Sequence, residues 1–320
     1  MLSLNSFLQE MIPLYFMVFI GLFCRKMNIF NEKSKDTITQ LLLNVTLPLI
    51  ILYSLNATFT YDIVIDMLWL TSMSLFIIFA SVIYAAWLRK RARLPKAQKT
   101  VYESLIIFGN QGFIGFAIIY IIFNEPGMMY ITIFNVCYLF LIWSYGIYLF
   151  TKQKNVVNWK LVFFNPGTLS TSLGVVVLFS PYTWPNFILD TFEMVGKMTI
   201  PLSMILIGIL LAEMKRSQIN MYIKNRYIWQ AALFRLCIIP TFLFVFLMFQ
   251  VPYHLFVVAV LTSAMPSAST VSIYAQKFGG DSSFSSVGVI VTTVLCVITI
   301  PLLYYVLLFI QPYYETLFVA

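Results

Sequence analysis

Two short stretches about 155 residues apart carry the residue types that could hold a ligand. The first is Gly109-Asn110-Gln111-Gly112, with Gly115 just beyond it. The second is Pro266-Ser267-Ala268-Ser269-Thr270. Asn110 and Gln111 can donate from side-chain amides, and Ser267, Ser269 and Thr270 from hydroxyls. Gly109, Gly112 and Gly115 permit an opened turn or a close backbone approach, and Pro266 removes a donor from a helix interior. Neither stretch contains a carboxylate, which favours an anionic ligand over a cation. Gly, Ser and Thr also serve as packing residues between membrane helices, and for Gly115, Ala268 and Ser269 packing explains the residue as well as binding does. Asn110 and Pro266 occupy matched places in two long apolar runs, and there the binding reading is preferred.

Two further candidates are charged. Lys197 lies one turn after Glu193 in an apolar run, in the favourable order for an i,i+4 pair. It is expected either to pair with Glu193, to snorkel outward, or to meet an anionic ligand, with Asn44 at the equivalent place in the first half. Arg235 is the other basic residue inside an apolar run. Its nearness to a basic loop predicts that it snorkels to that face. Glu103 is expected at the start of a helix, where it favours the N-terminus. His254 stands alone near a loop. With no His/Cys cluster, no metal and no cofactor are expected, and Cys24, Cys137, Cys237 and Cys296 read as single buried hydrophobes.

The elements that must position these residues are membrane helices. The chain has 320 residues, 61% hydrophobic and 10% charged, with a mean hydropathy of +0.89. That composition excludes a soluble domain, and apolar runs of about 20 residues recur along the whole length. Ten spans are predicted, at 7–24, 37–56, 64–88, 103–123, 130–150, 162–180, 187–212, 227–249, 254–275 and 285–310. The first lacks a basic flank and a cleavage site, and it is expected to be retained.

Basic residues fall in alternate loops: Arg25 to Lys35, Arg89 to Lys99, Lys152 to Lys160, Lys215 to Arg226, and Lys277. This places 18 of 20 on one side and both termini outside. The net charge of +8 is then an orientation signal and not a nucleic-acid surface.

The halves repeat. Asn44-Val-Thr-Leu-Pro48 aligns with Lys197-Met-Thr-Ile-Pro201 at an offset of 153, and the two polar stretches align at 155. Five spans per half make the repeat inverted, with residues 1–155 and 156–320 as its units. Spans 4 and 9 would be broken helices at the midplane, the place where carriers of this kind bind substrate. Pro48 and Pro201 are matched interior prolines that would kink their helices. Asn165-Pro166 looks like a helix start.

Asn44–Leu55 (NVTLPLIILYSL), Phe108–Phe116 (FGNQGFIGF), Asn165-Pro166, Met198–Gly208 (MTIPLSMILIG), Ala264–Thr270, Phe278-Gly279-Gly280-Asp281 and Thr292–Leu302 (TTVLCVITIPL) together resemble the auxin efflux carrier family, in its bacterial branch of permeases. Their order and spacing cover nearly the full length. The resemblance implies a scaffold of spans 1, 2, 6 and 7, a homodimer through it, and a transport domain of spans 3–5 and 8–10 that moves by alternating access. It also implies a plasma-membrane location and an organic-anion substrate, either a malate-like dicarboxylate or an auxin-like weak acid. Two departures stand out: Ala117 where a proline is common, and a single Pro266 where two prolines are common. The latter leaves Ser267 with a backbone N–H to donate.

The alternatives are a sodium- or proton-coupled ion antiporter or symporter of the same architecture and, less favoured, a channel. An enzyme is disfavoured, since no GxSxG, HExxH or cluster of ionisable groups is present. Without a nucleotide-binding motif, active transport would draw on a proton or sodium gradient.

Overall fold

The computed structural model describes residues 2–56, 60–151, 164, 166–180, 183–213 and 216–318. Among these the chain is helical, without strands; one isolated antiparallel bridge joins Gly109 to Ser267. Seven helical segments are long and apolar enough to cross a membrane: Leu4–Lys26, Glu32–Ser54, Tyr61–Arg91, Gln111–Thr151, Asn186–Ala212, Arg226–Phe249 and Ser282–Thr316. Pro166–Leu178 and Tyr253–Ser263 are apolar but shorter. The chain is an integral membrane protein.

Several of these segments are composite. The second is α2 (Glu32–Leu41), a π-helical turn (Leu42–Thr46) and α3 (Leu47–Ser54). Pro48 has no N–H to give to Asn44, and the wide turn that precedes it absorbs the missing bond. Asn186–Ala212 divides at Met198 into α9 (Asn186–Lys197) and α10 (Thr199–Ala212), again just before a proline, Pro201. The longest segment opens with a π turn (Gln111–Gly115) and continues as α6 (Phe116–Leu141). Asn124 interrupts α6 with non-helical torsions (φ 54°, ψ −139°), between Phe123 and Glu125-Pro126.

The remaining elements are α1 (Leu4–Lys26), α4 (Tyr61–Arg91), α5 (Lys96–Ile107), α7 (Ile147–Thr151), α8 (Pro166–Leu178), α11 (Arg216–Tyr222), α12 (Arg226–Leu233), α13 (Ile239–Thr241), α14 (Tyr253–Ser263), α15 (Thr270–Phe278) and α16 (Ser282–Phe318). Pro166 opens α8, as its ring favours; Asn165 lies outside the described residues. Glu103 is not at a helix start. It sits inside α5, fully buried, where Arg89 Nη1 reaches its carboxylate at 2.7 Å and the Tyr145 hydroxyl donates at 3.1 Å.

Burial shows where the core sits. Leu255 through Leu261 of α14 are wholly enclosed, and so is most of α5 from Val101 to Phe108. Phe16 and Phe19 of α1, Phe79 and Ile83 of α4, and Ile298, Leu302 and Phe309 of α16 are exposed, as side chains facing lipid are. The two interrupted helices therefore lie at the centre of the bundle.

Packing around them falls into two groups. Helices α1 with α10, α3 with α9, and α3 with α8 form one; α4, α5, α6, α12, α14 and α16 form the other, and the two meet where α1, α3 and α8 touch α6 and α1 touches α16. In the first group α1 and α10 touch backbone to backbone. A Cβ on Gly21 would lie 2.1 Å from the Ile205 carbonyl oxygen, and one on Gly208 would lie 2.0 Å from that of Val18. Without a hydrophobic drive between helices in lipid, such close approach is the main source of cohesion.

Candidate functional site

The two breaks meet as a short antiparallel crossing. The Asn110 N–H donates to the Pro266 carbonyl at 2.6 Å, and the Ala268 N–H to the Phe108 carbonyl at 2.9 Å. Asn110, Gln111 and Ser267 are buried, where an unpaired polar group is costly, while Gly112, Ser269 and Thr270 are half-buried.

Most carbonyls at the ends of the half-helices accept a hydrogen bond from the protein. At the end of α5, Leu105 O accepts from Ser267 Oγ (2.7 Å) and Gly109 O from the Tyr138 hydroxyl (2.6 Å). Arg235 supplies the rest: its Nη1 donates to Ile107 O (3.0 Å) and Ile106 O (3.4 Å), and its Nε to Met265 O (2.8 Å). The expectation that Arg235 snorkels to the basic face is wrong. It is 2% exposed, and it lies on the buried stripe of its helix with Ile228, Ala231, Ala232 and Ile239. A π turn at Phe234–Ile238 carries it. Gly109 is glycine for the same reason, since a Cβ there would lie 1.9 Å from Arg235 Nη2. It serves less as a hinge than as the space for the guanidinium.

The amide ends are open. The N–H groups of Gln111, Gly112, Phe113, Ser269 and Thr270 make no hydrogen bond among the described residues. The buried Gln111 Oε1 and Thr270 Oγ1 are also without partners, as is Ser272 Oγ one turn into α15. Helix N-termini carry partial positive charge, and here no acceptor among the described residues is bonded to these amides.

Other expected residues fall in several places. Ser267 is occupied: besides its hydroxyl bond, its N–H donates to Thr292 Oγ1 of α16 at 3.1 Å, so the donor left by the single proline goes to the protein. Gly112 faces a cavity of about 30 Å³ lined by Leu47, Thr132, Asn135 and Thr171, with open space at its Cβ position. Gly115 is tighter; a Cβ there would sit 3.1 Å from Ile131 Cδ1 and 3.4 Å from Met265 Cγ. Pro48 and Pro201 lie at the helix joints described above, in helices of which α10 packs against the Gln111–Gly115 turn and α3 places Leu47 beside Gly112.

Ser269 lines a larger polar cavity of about 440 Å³, with Lys35, Glu213, Gln218, Ser272 and Ser286 among its walls. These residues adjoin the loops that carry the basic residues. A cluster braces that rim, in which Arg25 and Lys35 each bridge Glu32 and Glu213. The Phe278-Gly279-Gly280-Asp281 turn behind it follows from backbone chemistry. Gly279 ends α15 at φ 90°, and Asp281 Oδ1 accepts from the Phe284 N–H to start α16. Tyr222 and Gln98 both donate to the other oxygen of Asp281. Burial, together with the bond to that carboxylate, holds the Tyr222 phenol above its ordinary pKa.

Lys197 is paired, and with two carboxylates. Its Nζ lies 2.7 Å from Glu193 and 2.6 Å from Glu125, with Tyr53 and Tyr120 rings nearby. Asn44 is exposed in its π turn and makes no hydrogen bond or salt bridge to Lys197. Cys237 is exposed and Cys24 and Cys137 half-buried, so only Cys296 is the buried hydrophobe expected. No metal-binding cluster of His, Cys, Asp and Glu occurs among the described residues.

Sequence reasoning misplaced Arg235 and missed Glu125, Tyr138 and Asn135. Tyr138 and Asn135 sit in an all-apolar stretch whose buried face cannot be phased without tertiary contacts.

A helical membrane protein whose two broken helices cross at its buried centre, with amides left to bind and a polar approach from one face, has the build of a membrane transporter. The family model for membrane transport proteins matches residues 6–304, nearly the whole chain. The chain belongs to that family, the auxin efflux carrier family, which is a family of transporters and not of enzymes. No curated protein matches it.

Proposed function

We propose that the protein is a secondary carrier that moves a small organic anion across the plasma membrane by alternating access. The observation that carries this reading is the asymmetry of the crossing: most carbonyls at the helix ends are tied off by protein donors, while the amides of Gln111, Gly112, Phe113, Ser269 and Thr270 make no bond among the described residues. A carboxylate is the ligand that unpaired amides at two helix N-termini favour. Gln111, Gly112, Ser269 and Thr270 would be its contacts, with Asn110 and Ser267 holding the crossing in shape.

The proposed architecture is ten spans in two inverted halves, with both termini outside. It is supported by the paired breaks at 108–116 and 264–270 and by the paired helix joints before Pro48 and Pro201. The close packing of α1 on α10 and of α3 on α8 and α9 supports a scaffold, which meets the proposed moving body through α6, α16 and the Gln111–Gly115 turn and is the proposed dimer contact. In this state the carrier faces the cytoplasm: the 440 Å³ cavity leads from the basic rim to Ser269, while Lys197 joins α9 to Glu125 of α6 on the far side.

Thermal unfolding of the purified protein against a panel of organic acids, malate first, tests this reading. A ligand of the folded state raises Tm in a saturable way. The reading predicts such a rise for at least one carboxylate; no rise with any of them overturns the anion assignment. Flux in vesicles that followed sodium or protons without any organic acid would instead favour an ion antiporter.

A further inference from the structure

The buried cation at the crossing has no acidic partner among the described residues. No carboxylate among them forms a salt bridge with Arg235; its Nε and Nη1 are given to the Ile106, Ile107 and Met265 carbonyls, and its buried Nη2, beside Gly109, makes no hydrogen bond among the described residues. These belong to the C-terminal ends of α5 and to the break after α14, the negative ends of the two half-helices. In carriers with discontinuous helices, such ends and their unwound carbonyls are where a coupling cation is coordinated. The same place here is filled by a side chain that keeps its charge and cannot leave.

We propose that Arg235 is a built-in counter-cation that occupies the coupling-cation position of the crossing, so that sodium neither binds there nor couples through it. This rests on the carrier reading above and narrows it. Three observations support it independently of any substrate. The first is the number of carbonyls converging on one guanidinium. The second is Gly109, whose lack of a side chain makes the room. The third is a cavity of about 10 Å³ on the other side of the guanidinium, lined by Gln111, Tyr138 and Ser263, which is too small for a hydrated ion. A second monovalent cation would have to share these carbonyls with a charge already in contact with them. The fixed charge also has a use: it offsets the negative ends at the crossing and leaves the field of the open amide ends to act on an anion.

The test reads cation binding directly. For the native chain, Tm is measured in sodium, potassium and choline chloride at equal ionic strength, and no sodium-specific, saturable rise is expected. The Arg235→Ala variant is then titrated in a potassium background with millimolar sodium or guanidinium. A saturable rise in Tm is expected with one or both, as a free cation takes the vacated position. Arg235→Lys keeps the charge and is expected to be as indifferent to sodium as the native chain.

Three results would each overturn the proposal: sodium-specific stabilisation of the native chain, the same in Arg235→Lys, or a folded Arg235→Ala that responds to neither ion. The native titration decides even where Arg235→Ala does not fold. None of these readouts involves an organic acid, so a negative carboxylate screen would count against the carrier reading and leave this result to stand or fall by itself.

Discussion

Arg235 and Lys197 are the two basic residues that lie within the apolar spans, and their surroundings are opposite. Lys197 is about a third exposed and sits between two carboxylates, Glu193 and Glu125, that are also about a third or more exposed. Arg235 is enclosed, forms no salt bridge among the described residues, and is held by main-chain carbonyls at the ends of two different helices. A charge near the membrane boundary can be neutralised by side chains that water also reaches, so its net contribution is small. A charge at the centre survives only where fixed dipoles take the place of water, and the ends of interrupted helices supply them. The difference separates a residue that holds the crossing together from one that ties α9 to α6 where water reaches both.

The largest effect is expected at Arg235. Replacing it by Met keeps volume but strips donors from buried carbonyls, each worth about 1–3 kcal/mol when left unpaired. Arg235→Met should lower stability by about 2–5 kcal/mol, seen as a large drop in Tm in detergent, and should abolish uptake of any substrate found. A variant with native Tm would mean that the guanidinium does not hold the crossing.

Gly109→Ala tests the same contact from the other chain segment. Its Cβ would fall 1.9 Å from Arg235 Nη2, so the head group must move off its carbonyls. A cost of about 1–3 kcal/mol is expected, close to that of overpacking a core. The double variant Gly109→Ala/Arg235→Met should cost less than the sum of the two, because both act on one contact.

Gly112→Ala sharpens the contrast between holding and binding. Its Cβ would meet only Leu47 Cδ2, at 4.0 Å, so the fold should tolerate it with less than about 1 kcal/mol of change. If the open amides bind the anion, a methyl group beside them should weaken carboxylate-induced stabilisation while native Tm persists. Unchanged carboxylate binding would remove Gly112 from the site.

Much of this layout was legible in the chain. Gly109–Gly115 and Pro266–Thr270 are conspicuous because polar and helix-breaking residues are costly in apolar runs, and both prove to lie in the paired breaks. The pairing of Lys197 with Glu193 follows from helical spacing alone. Glu125 could not be found that way, because it reaches Lys197 only through tertiary packing. Arg235 was misplaced for a similar reason. Its helix is apolar on every side, so periodicity does not tell the buried face from the lipid face, and distance to the nearest loop was the only guide. Ser267 was legible as a donor, but its acceptors, Leu105 and Thr292, lie on other helices.

The smallest energetic effect and the most specific kinetic one are expected at Lys197. Each partner is partly exposed, so Lys197→Ala or Glu125→Gln should change stability by no more than about 1 kcal/mol. Yet the Glu125 contact spans α6 and α9, which belong to the two packing groups, and it is the one salt bridge among the described residues that does so. If these groups move against each other, losing it should shift the population towards a state open on that side. A cysteine at Asn135, with Cys24, Cys137, Cys237 and Cys296 replaced, reports this: a membrane-impermeant maleimide added outside should label it faster in the Lys197→Ala background. Glu193→Gln removes a pair within one helix, leaves the Glu125 contact in place and should not speed labelling. Equal labelling in all three backgrounds would reduce Lys197 to a surface ion pair with no part in opening.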